Sequence, residues 1–144
     1  MIPSNVLEIM RKVGLFPVVL ATSDKEGKPH ITFITWVYPF DEKTIRLAVS
    51  SNSRSAKNML ETRKASLMLF AQDTALACYG EATLLKENIE ELKFPVSVFQ
   101  INLSGVENNL FPGGTVTGAI PFMHTGDWEK AGELNRIVLD ALIA

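Results

Sequence analysis

Apolar residues recur along the chain in short runs separated by polar, glycine- and proline-bearing turns, and the period of each run predicts an element. Val6, Leu7 and Met10 fall on one face at helical spacing. A helix is therefore expected from a Ser4 or Asn5 cap to about Lys12, with Gly14 ending it. Leu15 to Thr22 reads as a strand, Ser23 to Pro29 as a polar turn, and His30 to Tyr38 as a second strand completing a hairpin. Beyond a turn at Pro39 to Lys43, Ile45, Leu47 and Val49 alternate with Arg46 and Ala48. Thr44 to Val49 thus adds a third strand to a meander.

A helix from about Ser53 to Thr62 is expected to bury Ala56, Met59 and Leu60 and to end at the cations Arg63 and Lys64. Ala65 to Ala71 and Ala75 to Leu85 predict an antiparallel pair joined by Gln72-Asp73-Thr74, in which Gly80 marks a bend or a close approach of two backbones. Lys86 to Leu92 reads as a brief helix. Pro95 to Leu103 reads as a sixth strand whose alternation slips between Val98 and Ile101, as a bulge would cause. Asn108 to Gly118 is a glycine-rich loop, continuing as a strand around Thr115 to Ile120. Asp127 then caps a final helix that carries Ala131, Leu134, Ile137, Val138 and Leu142 on one side. About six strands with one helix inserted after the third favour a small closed β-barrel carrying peripheral helices, a closure that removes exposed edges.

At 144 residues, 47% hydrophobic and 21% charged, the composition fits one soluble domain spanning residues 1–144. A net charge of -2 argues against a general nucleic-acid binder. No apolar run approaches the roughly 20 residues that span a bilayer, so no membrane partner is expected. The first residues lack a cationic segment ahead of an apolar core, and Cys78 is the sole cysteine, so a cytoplasmic, reducing compartment is expected and a disulfide framework excluded. His30 and His124 are the only imidazoles and lie far apart in sequence. Neither a metal site nor an axial haem ligand is expected from them.

The chemistry concentrates at the start of the second helix, Ser50-Ser51-Asn52-Ser53-Arg54-Ser55-Ala56-Lys57. Cations are unfavourable where unpaired N–H groups already present positive potential, yet Arg54 and Lys57 stand there on one face, with no carboxylate before Glu61. A bound anion reverses that balance. Free N–H groups, serine hydroxyls and two cations together suit a phosphate.

Set in this order, Gly27-Lys28-Pro29, Ser53-Arg54, Lys57-Asn58-Met59-Leu60, Ala65-Ser66-Leu67-Met68-Leu69 and Gly80-Glu81-Ala82 give a sequence that resembles the flavin-binding split barrels related to pyridoxamine 5'-phosphate oxidase. The resemblance covers about Leu15 to Leu85. It implies a six-stranded antiparallel split β-barrel that forms a homodimer and binds FMN in clefts at the dimer interface. It also implies that Ser53, Arg54 and Lys57 hold the FMN phosphate. Ile34, Thr35 and Trp36, together with Val49, Ser50 and Ser51, then run along the ring and ribityl chain, largely through main-chain groups. Two departures bear on activity. Ser55 stands where the oxidases place a lysine after the Ser-Arg pair, and the chain lacks their C-terminal Arg-x-His element. Oxidation of pyridoxamine 5'-phosphate itself is left without its expected residues. What the resemblance implies is an FMN-dependent oxidoreductase acting with a small-molecule substrate or electron donor, with a non-catalytic flavin-binding, sensing or storage protein as the alternative. No side chain stands out as a catalytic acid or base, which a flavin enzyme tolerates because the cofactor carries the electrons.

Overall fold

A computed structural model describes residues 1–144. The elements are α1 (Ser4–Val13), β1 (Val18–Ser23), β2 (Pro29–Ile34), β3 (Val37–Asp41), β4 (Thr44–Ser50), α2 (Arg54–Thr62), β5 (Lys64–Ala71), β6 (Thr74–Lys86), β7 (Val96–Asn108) and α3 (Trp128–Ile143). All strands join one antiparallel sheet in the order β2-β1-β5-β6-β7-β4-β3. Its edges, β2 and β3, are consecutive in the chain and separated only by Thr35 and Trp36, so the sheet rolls into a split barrel that does not close.

The expected second strand is therefore two strands, and the count rises from six to seven. Thr35 is the cause. Its carbonyl accepts from Phe16 N at 3.2 Å and from Val37 N at 3.1 Å, which bends the chain, while Ala48 N donates to Trp36 O at 3.0 Å and starts the new pairing. β2 pairs only with β1, and β3 only with β4.

The barrel interior holds Phe16, Leu20, Ile45, Leu47, Met59, Phe99 and Ile101, all at 0–1% exposure. Each such side chain contributes about 1.5–3 kcal/mol through burial. A second layer lies outside the barrel, where Ala48, Val96 and Val98 pack against Val138 and Leu142 of α3. β7 is consequently buried on both faces along its first half. That explains the apparent slip between Val98 and Ile101: β7 pairs with β4 without interruption from Val96 to Asn102, and the irregularities fall against β6, at Tyr79/Gly80 and Leu84/Lys86. Gly80 is the expected close approach. A Cβ there would lie 2.5 Å from Asn102 O and 2.9 Å from Ile101 Cγ2.

Four local expectations are corrected. Pro3, not Ser4 or Asn5, precedes α1 as its cap residue, and it offers no side-chain bond; Gly14 ends the helix with φ 82° as expected. Lys86 to Leu92 forms no helix, because Ile89 N donates across to Val96 O at 3.1 Å and Asn88 Oδ1 receives Val96 N, turning the segment into the β6–β7 connection. Thr115 to Ile120 makes no strand; Val116 O accepts from Asp73 N at 2.8 Å, and Gly113, Gly114 and Gly118 offer no side chains to pack in a strand. Leu60 lies on the outer face of α2 and is 57% exposed, whereas Ala56 and Met59 are buried as expected.

Candidate cofactor site

The turn between β4 and α2 is built by its own hydroxyls. Ser53 Oγ donates to Ser50 O at 2.6 Å and accepts Ala56 N at 3.1 Å, making Ser53 the N-cap of α2. That cap satisfies only Ala56, so the N–H groups ahead of it stay without a side-chain acceptor at the positive end of the helix dipole. Asn58, buried, donates to Thr22 Oγ1 at 3.1 Å, and Thr62 Oγ1 bonds Ser23 O, which fastens α2 across β1.

Ser51, Asn52, Ser53, Arg54 and Lys57 line a polar cleft of about 740 Å³ together with the Asp24–Glu26 turn. The chain has two ion pairs, Arg63–Glu81 and Arg136–Asp140, and neither is here. Arg54 and Lys57 thus present unpaired cations even though Asp24, Glu26 and Glu61 share the cleft. Asp24 is held below its ordinary value of 3.8, first by the N–H of Lys28, with desolvation opposing and the Glu26 N–H and the charges of Lys28 and Arg54 adding to it.

A second cleft of about 380 Å³ adjoins the first at Ser53, which lines both. Ile34, Thr35 and Trp36 from the strand break and Val49 and Ser50 from the end of β4 line it, with Phe122 from the long C-terminal loop across from them. The structure therefore brings all nine sequence-predicted residues into two contiguous clefts, one wholly polar, where Lys25, Arg54 and Lys57 face Asp24, Glu26 and Glu61, and one half apolar. Ser51 is the exception in chemistry rather than place: its hydroxyl is 2.7 Å from Ser97 Oγ and donates to Glu87 O, so it braces the turn.

Sequence reasoning missed His30, Thr32 and Phe33 as lining residues. A signal existed in β2, where the polar His30 and Thr32 are half-buried while the apolar Ile31 and Phe33 are 69% and 49% exposed; Phe33 nonetheless reaches the cleft, its ring 6.0 Å from Phe122. Trp36 has two roles. Besides lining the cleft it packs on the α3 layer and donates Nε1 to Asn135 Oδ1 at 2.9 Å. No group of three or more His, Cys, Asp or Glu residues is arranged to hold a metal ion, and no helix is long and apolar enough to cross a membrane.

The family model for pyridoxamine 5'-phosphate oxidase matches residues 13–106, the segment that builds both clefts apart from Phe122. The chain belongs to this family. Among solved structures it is similar to HupZ of Group A Streptococcus, at 18% identity over 82% of this chain and 100% of that one, with a TM-score of 0.62. HutZ, the heme storage protein from Vibrio cholerae, is 15% identical over 75% of this chain and 95% of its own, with a TM-score of 0.56. An FMN-binding protein from Syntrophomonas wolfei is 19% identical over 74% and 93%, with a TM-score of 0.52. At such identities the likeness establishes the fold. No curated protein matches the chain in sequence.

Proposed function

We propose that this protein is an FMN-dependent oxidoreductase, and a single observation carries the reading: a helix start bearing Arg54 and Lys57 and a half-apolar cleft with Trp36 and Phe122 in its walls meet at Ser53. A ligand with an anionic end and a planar aromatic end fits that pair, and FMN has both. The donor set suits it. Arg54, Lys57 and the open N–H groups of α2 would hold the phosphate, while Ile34 to Trp36 and Val49 to Ser51 would flank the ribityl chain and ring. When bound, the flavin supplies electron or hydride transfer, and these residues bind it, orient it and shield one face from water.

The outward apolar face of β2, an edge strand beside the cleft, supports a homodimer in which a second copy covers Ile31 and Phe33. The buried single thiol Cys78 accords with a cytoplasmic setting. One observation favours the non-catalytic alternative: His30 is the only ionisable side chain lining the half-apolar cleft.

Anaerobic mixing of the FMN-loaded protein with a reduced nicotinamide separates the two. Rapid, saturable bleaching of the flavin band followed by recovery with an added acceptor is expected of the enzyme. A stable flavin spectrum untouched by the donor would mark a carrier, and a Soret band after haem addition with no flavin binding would defeat both.

A further inference from the structure

Phe122 has clefts on both its sides. Beside the half-apolar cleft lies a more apolar one of about 300 Å³, lined by Leu15, Phe16, Ile120 and Met123 among others, with His124 and the Trp128 indole as its polar side chains. Its size is at the small end of ligand sites, about 300–1,000 Å³. Without a charged wall it does not suit an ionic ligand. Its C-terminal side, residues 119–128, lies outside the matched family segment.

The polarity of His124 is fixed by its neighbours. An indole N–H can only donate, so Asn135 must turn Oδ1 to Trp36 Nε1 and Nδ2 to His124 Nε2, at 2.9 and 2.8 Å. Nε2 then accepts, and the proton of the neutral ring sits on Nδ1. No protein group takes that N–H. The Phe122 ring stands edge-on to the imidazole with centroids 5.2 Å apart, and 6.0 Å from Phe33. The cleft therefore has apolar walls, and two N–H donors, His124 Nδ1–H and the Trp128 indole, stand among its lining residues.

We infer that this cleft binds the flat, uncharged ring of a second reactant and holds its carbonyl oxygen through His124 Nδ1–H. Resting on the FMN reading of the neighbouring cleft, this gives the substrate class as a neutral aromatic carbonyl compound, delivered to the flavin side across Phe122. Binding at this cleft does not itself need flavin.

Titration of 15N-labelled protein with α-tetralone and with tetralin, the same skeleton lacking the carbonyl, reads the Trp128 indole N–H shift. The wild type is expected to bind α-tetralone about three- to tenfold more tightly, the worth of one neutral hydrogen bond. His124→Phe is expected to erase that preference while still binding tetralin. Met123→Glu, at a position 67% exposed where folding tolerates charge, is expected to lose both ligands and keep FMN. Absence of a saturable shift with either ring, or a carbonyl preference that survives in His124→Phe, would overturn the inference. FMN titration of the same samples keeps the two readings apart, since FMN binding without ring binding sinks only this cleft, and ring binding without FMN sinks only the flavin assignment.

Discussion

Trp36 Nε1 donates to Asn135 Oδ1 at 2.9 Å, tying the break between the two barrel edges to the middle of α3. Asn135 is 9% exposed and spends its other amide atom on His124. Asn135→Ala therefore strands an indole N–H and an imidazole nitrogen in a half-buried place. A loss of about 1–3 kcal/mol is expected, read as a lower urea midpoint at unchanged slope.

Gly80→Ala tests the close crossing of β6 and β7. The added methyl meets a backbone oxygen at 2.5 Å, which cannot rotate away, so the strands must separate locally. The expected destabilisation is about 1–3 kcal/mol, measurable by thermal or urea unfolding. An unchanged midpoint would contradict the register of these strands.

Asp24 gives a pH dependence with a definite sign. Its folded-state pKa is lowered from 3.8, chiefly by the N–H of Lys28, so its charged form stabilises the folded turn. The stability difference between wild type and Asp24→Ala is expected in full well above pH 3.8 and to shrink as pH falls through the lowered folded value. A difference that grows on acidification would reverse the assignment.

Cys78 is 0% exposed in the barrel core, and burial pushes its thiol up to about 12. At neutral pH it is protonated and shielded, so the native protein is expected to resist alkylation and to react only at the rate of unfolding. Stoichiometric labelling under native conditions would contradict that packing.

What the sequence made legible was local. The alternation of Ile45, Leu47 and Val49, the hydroxyl turn ahead of Arg54, and Gly80 each owe their structure to near neighbours or to one steric demand, and each stands where expected. The division of the second strand did not show, because the bend at Thr35 involves a contact remote in sequence, Phe16 N donating to its carbonyl. Similarly, Val96 and Val98 read as a slipped strand because periodicity could not reveal that α3 covers the outer face. In the candidate site, the cations and the β4 end were legible, whereas the sequence of Phe122-Met123-His124 suits a cover for the cleft and a plain surface loop equally, having no periodicity to decide; Phe122 does line the cleft. His30 and Thr32 were readable in principle from the inverted pattern of β2, in which Ile31 and Phe33 are the more exposed.

The central claim is that Arg54 and Lys57, unpaired at the start of α2, hold the phosphate of a flavin. Titration of FMN and of riboflavin, which lacks the phosphate, into wild type and an Arg54→Ala, Lys57→Ala variant tests it most directly by flavin fluorescence. Two charge-assisted contacts at an open site are expected to be worth about ten- to a hundredfold in Kd for FMN, and close to nothing for riboflavin. Equal FMN affinity in the two proteins, or no binding to the wild type, would contradict the account.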